Sequence, residues 1–478
     1  MQKADTNLQE LLKKYGGAVP RYTSYPTAPE WRMPYSKTAF ETAIEASNLE
    51  GNNYSLYLHL PFCESQCYYC ACNVIISKKH EISKSYIKRI KEEIEYIGER
   101  ISPERKVIQM AWGGGTPTFL HPDEIEEIYE HLRKHFNLLN KVDEAFFNHE
   151  YSIEIDPRVT SQEHLKTLSR LGFNRLSMGI QDFNEKTQEA INRIQTYESV
   201  ENILKISREA DFNSVNFDLI YGLPHQDLTT FKKTVEQVIK LSPERIALFN
   251  YAHIPEFFPF QKKYINEDTL PNQKTKLDIF ELAVKSFTAE GYQPIGLDHF
   301  ARPDDELCKA HKNKKLYRNF QGYTTHDGCD LFGIGLTAIS SIQGTYKQNK
   351  KKLSEYYNEE DPFAAEKFFI SDAKDTERKQ IIKEIMCHFY TELNYDDYKE
   401  EYSLLESFVQ DGLIELNLIN TNNAEIGVSL HSHNKDLNNG RFSISVTELG
   451  RLFVRNIASM FDHYLKQKNA HKLFSKSL

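Results

Sequence analysis

From about residue 54 to residue 300 the chain alternates between two kinds of segment. Short runs rich in β-branched and aromatic residues come first: YSLYLHL (54–60), VIQMAW (107–112), YSIEI (151–155), RLSMGI (175–180), NFDLIY (216–221), IALFNY (246–251) and QPIGL (293–297). Each ends in a glycine, proline or polar cluster, and a segment of helical period follows. Tyr86, Ile90, Ile94 and Ile97 recur at a spacing that puts them on one helix face. HPDEIEEIYEHLRKHF opens with Pro122 and acidic residues, as helix N-termini do. Such alternation builds a mostly parallel sheet with right-handed crossovers. Six or seven units fall short of the eight of a closed barrel. The expected fold is therefore α/β, an incomplete (β/α) barrel of about six parallel strands.

The flanks read differently. VPRYTSYPTAPEW (19–31) carries Pro20, Pro26 and Pro29, which rule out a regular helix. Beyond about residue 360, ERKQIIKEIMCHF, YKEEYSLLESFVQDGLIEL and VTELGRLFVRNIASMFDHYL read as amphipathic helices around one strand-like run, RFSISV (441–446). The expected division is a segment covering the active site (1–50), the partial barrel (51–300), a barrel extension and connection (301–360), and a mainly helical C-terminal domain (361–478).

Composition narrows the function. No run of about 18 uncharged apolar residues is present, so no membrane span is expected. The polar start MQKADTNLQELLKKYGG has no apolar core of a secretory signal, and cytoplasm is the expected location. A formal charge of −9 argues against nucleic acid or anionic membrane as a partner. A small anionic substrate would need a local basic pocket. The helix–strand–helix order near the C-terminus resembles a winged helix, but its first two helices are acidic and ill suited to DNA.

Four of seven cysteines, Cys63, Cys67, Cys70 and Cys72, crowd into LHLPFCESQCYYCACNVI. Three readings stand: buried structural thiols, a zinc site, or an iron–sulfur cluster. Structural zinc usually takes ligand pairs from two segments, and here Cys308, Cys329 and Cys387 stand singly. A C-x-x-x-C-x-x-C loop can instead hold three corners of a [4Fe–4S] cube, leaving one iron open to a small molecule. The loop follows the first strand, and GGGTP (113–117) follows the second. Glu154 is near the end of the third, Gln181 follows the fourth, and Asp218 lies in the fifth. Barrel active sites gather at such strand ends. Glycines let a ligand approach bare backbone, and ionised carboxylates accept hydrogen bonds from hydroxyl and ammonium groups. Taken singly, the glycines can also be a tight turn and the carboxylates helix caps or ion-pair members.

The cysteine loop resembles that of the radical S-adenosylmethionine enzymes. PRYTSYPTA, WGGGTPT, IEIDPR, GFNRLSMGIQDFN, NFDLIYGLPHQ, FNYAHIP, DHFARPDDEL, RNFQGYTT and RLFVRNI resemble, more narrowly, the oxygen-independent coproporphyrinogen III oxidase family. This resemblance runs from about residue 19 to the C-terminus. It implies a [4Fe–4S] cluster on Cys63, Cys67 and Cys70, with S-adenosyl-L-methionine chelated to the open iron and cleaved to a 5′-deoxyadenosyl radical. It implies that two propionates of coproporphyrinogen III become vinyl groups, giving protoporphyrinogen IX. The positions matching the cofactor contacts are Tyr57, Gly114, Gly115, Thr116, Glu154, Gln181, Arg193 and Asp218, with Arg193 facing the methionyl carboxylate. Tyr69, Ile220, Ala252, Gln321 and Ile339 match contacts to a second S-adenosylmethionine. Tyr57 and Cys72 are the implied catalytic residues. Arg21, Arg302 and Arg318 are candidates for the substrate carboxylates, and Tyr22 and Tyr25 for the covering segment. The resemblance also implies a monomer served by an electron donor and an electron acceptor. One departure is Ala71, where the family usually has glycine. Two relatives stay open as alternatives, a haem chaperone and a haem-modifying radical enzyme. The chaperones typically lack a counterpart of Cys72 and the PRYTSYPTA segment, both present here.

Overall fold

The computed structural model describes residues 2–140, 149–362, 364–419, 425–427 and 440–467. Among these residues the central feature is one sheet of twelve strands. Its strands are β1 (Tyr54–Leu60), β2 (Val107–Gly114), β3 (Glu150–Ile155), β4 (Arg175–Gln181), β5 (Ser214–Tyr221), β6 (Arg245–Asn250), β7 (Gln293–Ile295), β8 (His299–Ala301), β9 (Asp330–Ile334), β10 (Ile339–Ile342), β11 (Thr345–Asn349) and β12 (Ala365–Ile370). They lie in the order β12-β11-β10-β9-β1-β2-β3-β4-β5-β6-β8-β7.

β1 to β6 are parallel neighbours in chain order, the six strands expected of the partial barrel. β9 adds a seventh parallel strand on the far side of β1. The expected strand 293–297 does not continue this series. It forms β7, antiparallel to β8, which is itself antiparallel to β6. Pro294 explains the placement: proline has no N–H for a ladder and is confined to edges, and β7 is the outermost strand.

Helices cover the parallel strands. In α1 (Ile82–Gly98) the side chains of Tyr86, Ile90, Ile94 and Ile97 are all 2% exposed or less. Burying each contributes about 1.5–3 kcal/mol before the cost of ordering it. α2 (Pro122–His135) begins with proline at its first position, where the missing N–H costs nothing.

β12 pairs with β11, so the division expected at 361 cuts the main sheet, and the C-terminal unit begins beyond Ile370. That unit carries α3 (Ala373–His388) and α4 (Lys399–Gln410). It also carries a four-stranded antiparallel sheet, of which only the strand at Arg441–Val446 was expected from sequence. The others are Tyr390–Asn394, Ile414–Ile419 and Glu425–Gly427. The last residues assigned to this domain, 468–478, lie outside the described ones.

The N-terminal helix Gln2–Tyr15 shares a core with this unit, and Tyr15 stacks on Phe408 at 4.5 Å. The proline-rich segment then runs as a strap between the unit and the main sheet. Tyr22 Oη donates to Asp462 Oδ2 at 3.0 Å, His463 N donates to Tyr25 Oη at 3.2 Å, and Trp31 stacks on Tyr346 at 4.9 Å.

Candidate functional site

Beyond β1 the chain turns into the cysteine loop, which is pinned from several sides. Phe62–Cys63 pairs with Ile75–Ile76, Tyr68 N donates to Ile191 O at 2.9 Å, and Asn192 Nδ2 donates to Gln66 O at 2.8 Å. The result is that Cys63, Cys67, Cys70 and Cys72 all line one cavity of about 470 Å³ at the C-terminal ends of the parallel strands. Ala71 keeps an ordinary negative φ, so alanine serves there without strain.

The four thiols differ in surroundings. Cys63 Sγ lies 3.4 Å from Thr116 Oγ1, and burial pushes its pKa up to about 12. Cys67 Sγ is approached by two cations, Arg158 Nη2 at 3.6 Å and Arg193 Nη1 at 3.7 Å. A hydrogen bond from Cys72 lowers Cys70 to about 7, and the same bond raises Cys72, whose thiol opens to the cavity.

The strand ends supply the facing wall. Gly114 has φ +108°, and a Cβ there would lie 2.5 Å from His59 Cε1. A Cβ on Gly115 would lie 2.6 Å from the Pro61 carbonyl carbon. The glycines are therefore required by protein packing against the start of the cysteine loop, a stricter reason than ligand approach. His59 beneath them is held neutral, its pKa lowered by burial to about 4. Glu154 Oε2 accepts from Gly114 N at 3.1 Å; its carboxylate opens to the cavity, and withdrawal from bulk water within it, with neighbouring Asp218, raises its pKa to about 7. Asp218 accepts from Ser177 Oγ and Asn216 Nδ2, both at 2.8 Å, and burial raises its pKa.

Arg193 is less free than the sequence suggested. Its Nη1 donates to Asp156 Oδ2 at 2.9 Å and its Nη2 to Gly179 O at 2.7 Å. Burial opposes its charge, but Tyr69, Asp156 and Cys67 more than offset that and hold it fully cationic. Arg158 grips the same Asp156 carboxylate at 2.6 Å.

Of the residues singled out in sequence, Tyr69, Gly114, Gly115, Thr116, Glu154, Gln181, Arg193, Asp218 and Ile220 line the cavity with the cysteines. Tyr57 lies on β1 with its hydroxyl 3.2 Å from His59 Nδ1. Burial, with Glu154 and Cys72 nearby, keeps that hydroxyl protonated. Ala252, Gln321 and Ile339 do not line this cavity; Ile339 packs instead against the apolar cluster of Trp31, Tyr346 and Phe369.

Arg302 is misplaced as a substrate ligand. Its N–H bonds Glu244 O at the start of β6, and its Nη2 donates to Ser242 Oγ at 2.5 Å. That is the opposite end of the sheet from the cavity. Tyr22 is turned onto Asp462, as a tether. Arg21 and Arg318 do meet: Arg318 Nη1 donates to the Arg21 carbonyl, and Arg21 pairs with Asp298. Arg21 also lies over the ring of Phe249, 5.6 Å from its centroid, and Phe249 lines the cavity.

Sequence reasoning passed over Asp156, Arg158, Ser177 and Phe249 in the cavity wall, and Arg455 beside Arg21. IEIDPR carried the signal for the first two, an acid and a base just past a strand end. RLFVRNI carried it for Arg455, which donates to the carbonyls of Val19 and Pro20.

The donor set fits an iron–sulfur cluster and a polar ligand. Three cysteines at cluster spacing face one cavity, and two cations approach the middle one. Two buried polar atoms in the wall, Gln181 Oε1 and Arg193 Nε, have no hydrogen-bond partner among the described residues. Buried polar groups are almost always paired, so these two await a ligand.

A partial barrel of parallel strands with such a loop at its C-terminal edge defines the radical S-adenosylmethionine superfamily, whose family model matches residues 57–238. Curated relatives extend over nearly the whole chain. The oxygen-independent coproporphyrinogen III oxidase of Pseudomonas aeruginosa is 40% identical over 477 residues, 97% of each chain. That of Escherichia coli strain K12 is 39% identical, covering 100% of this chain and 99% of its own. The solved structure of coproporphyrinogen III oxidase from Escherichia coli, described as a radical SAM enzyme, superposes with a TM-score of 0.83 at 37% identity, covering 95% of this chain and 98% of that one. The chain belongs to the oxygen-independent coproporphyrinogen III oxidase family.

Proposed function

We propose that this protein oxidatively decarboxylates two propionate side chains of coproporphyrinogen III to vinyl groups, giving protoporphyrinogen IX in haem biosynthesis without oxygen. The observation that carries this reading is the convergence of Cys63, Cys67, Cys70 and Cys72 on one cavity with Glu154, Gln181, Arg193 and Asp218. A [4Fe–4S] cluster would be held there by Cys63, Cys67 and Cys70 and would supply the low-potential electron needed for reductive cleavage of S-adenosylmethionine to a hydrogen-abstracting radical.

The chain's own residues do the rest. Cys63, Cys67 and Cys70 would lose their protons on taking iron and hold it as thiolates, and Arg158 and Arg193 set positive charge beside Cys67. Asp156 keeps both guanidiniums in place. Arg193 Nε and Gln181 Oε1 offer a donor and an acceptor to the amino-acid end of the nucleotide. Glu154 and Asp218 accept from hydroxyl or ammonium groups. Tyr69 and Ile220 extend the wall for a second nucleotide. Cys72, protonated at neutral pH, lines the cavity and can deliver a proton during turnover, whereas Tyr57 is outside the lining and would act from behind it, through its contact with His59.

Substrate carboxylates are received at the junction of strap, sheet and C-terminal unit. Arg21, Arg318 and Arg455 gather there around Asp298, and mutual repulsion, added to burial, lowers the Arg455 pKa. Arg318 Nε is buried without a partner among the described residues. The guanidiniums of Arg21 and Arg318 beside the single carboxylate of Asp298 leave positive charge for an anion. Each propionate surrenders a hydrogen atom, carbon dioxide and one electron. A donor to the cluster and a final acceptor are therefore required partners. No helix among the described residues is long and apolar enough to cross a membrane.

The test is anaerobic turnover of coproporphyrinogen III by cluster-loaded protein, with Cys67→Ser as control. Two carbon dioxide molecules per protoporphyrinogen IX are expected from the wild type and none from the control. A wild type with a full complement of iron that binds haem yet forms no vinyl groups would overturn the reading.

A further inference from the structure

A second cluster of ligating side chains lies far from the cavity. His131 and His135 are one turn apart on α2, and Glu95 stands opposite them on α1. Residues four apart on a helix share a face, and two imidazoles so placed can meet at one point. His131 Nε2 is 3.3 Å from Glu95 Oε1, and His135 Nε2 is 3.9 Å from the same oxygen. In a tetrahedral zinc site with bonds of about 2.0–2.1 Å the donors stand roughly 3.3–3.4 Å apart. One separation matches, the other is about half an ångström long, and all three atoms lie within 4.8 Å of one another, so a small movement of the His135 ring closes the site.

One further observation points to a ligand, and a second fixes the frame around it. His135 Nε2 is buried and has no hydrogen-bond partner among the described residues. The helices also touch here. A Cβ on Gly98 would lie 2.8 Å from His135 Cβ, so the distance between the two backbones is fixed where the site is. His131 Nε2 bonds the Lys91 carbonyl at 3.2 Å, a contact the metal would replace, and the Lys91 ammonium is turned onto Glu127 at 2.9 Å.

We propose that Glu95, His131 and His135 form a zinc site that joins the C-terminal ends of α1 and α2. Helices that follow parallel strands run back to the strands' starting edge, so this site lies at the end of the barrel away from the cavity. That face of a barrel serves stability. Two imidazoles and one carboxylate leave a fourth position for water, and Glu95 is half-exposed. The open position makes the site a reversible staple that tightens the helix pair when zinc is available.

The experiment uses cluster-loaded protein, stripped of loose metal and titrated anaerobically with zinc against a chromophoric chelator. One zinc per chain is expected beyond the cluster iron. Glu95→Gln, His131→Gln and His135→Gln should each raise the Kd at least about tenfold, a loss of the size seen when metal-site contacts are removed. Zinc X-ray absorption on the wild type should show imidazole nitrogen and carboxylate oxygen without sulfur, which also covers a variant that fails to fold. An unchanged Kd and stoichiometry in the His131→Gln/His135→Gln double variant, or a sulfur-bound zinc, would overturn the proposal.

Discussion

Asp156 is the residue whose replacement tests the architecture of the cluster site most sharply. Its carboxylate takes Arg158 at 2.6 and 3.0 Å and Arg193 at 2.9 Å, and its side chain is only 7% exposed. Asp156→Asn keeps the shape and removes the charge, leaving two guanidiniums facing each other beside Cys67. Breaking a buried ion pair by removing one partner costs about 3–5 kcal/mol. The exposed pair Arg170–Glu126, with contacts of 2.7 and 2.8 Å and side chains 56% and 41% exposed, is the internal reference. Glu126→Gln, on an ion pair open to solvent and screened by it, should change stability far less. Urea unfolding of cluster-free protein under argon gives both values without interference from iron. Burial alone would raise the Asp156 pKa, but Arg193 and Arg158 hold it below the ordinary carboxylate value. Its contribution is thus present above the unfolded-state pKa and lost as the pH falls through the folded one. The gap between wild type and Asp156→Asn should accordingly close in acid. An Asp156→Asn loss no larger than that of Glu126→Gln at pH 7 would refute the claim that this carboxylate organises the two arginines.

Three other outcomes are expected. Lys347 is 1% exposed, and burial lowers its pKa to about 8. The unfolded chain therefore holds this proton to higher pH than the folded one, and stability should rise by about 1 kcal/mol between pH 7 and 9; Lys347→Met, followed by thermal melts across that range, should lose this slope. Arg318→Gln should raise the KM for coproporphyrinogen III roughly ten- to hundredfold, the cost of about 1.5–3 kcal/mol for a charge-assisted hydrogen bond. Arg302→Ala, at the far end of the sheet, should leave KM unchanged in the same steady-state assay. Cys72→Ala should retain wild-type iron and form no vinyl groups, whereas Cys67→Ser should lose the iron itself, as iron analysis beside the turnover assay will show.

The parallel strands and their helices were legible because burial on both faces leaves unbroken apolar runs, and the covering helices keep a 3.6-residue period, as at Tyr86, Ile90, Ile94 and Ile97. The order of polar features along the strands was legible for the same reason, since each strand end contributes to one edge. Less visible was anything set by long-range placement. Arg302 and Arg318 sit in equally distinctive motifs, yet one lies below the sheet and the other above it. The direction of β8 decides this, and only its pairing with β6 reveals that direction. Ile414–Ile419 was absorbed into the preceding helix because its apolar residues continue the helical spacing. Gly412, with φ +70°, is the break that separates them. Pro294 likewise announced an edge strand that the repeat pattern overrode. Asp156 escaped notice because its role is indirect, holding arginines that themselves come from two separate strand ends.

The central claim is that three cysteines hold the cluster and leave one iron free to take S-adenosylmethionine. Electron–nuclear double resonance of the reduced protein, with the nucleotide labelled at its amino nitrogen and carboxylate oxygen, reads this directly. Hyperfine coupling to both labels in the wild type, and equally in Cys72→Ala, is the result expected. A reduced cluster whose spectrum ignores the labelled nucleotide, or that gains the coupling only when Cys72 is removed, would mean that the fourth iron is not open and that the account is wrong.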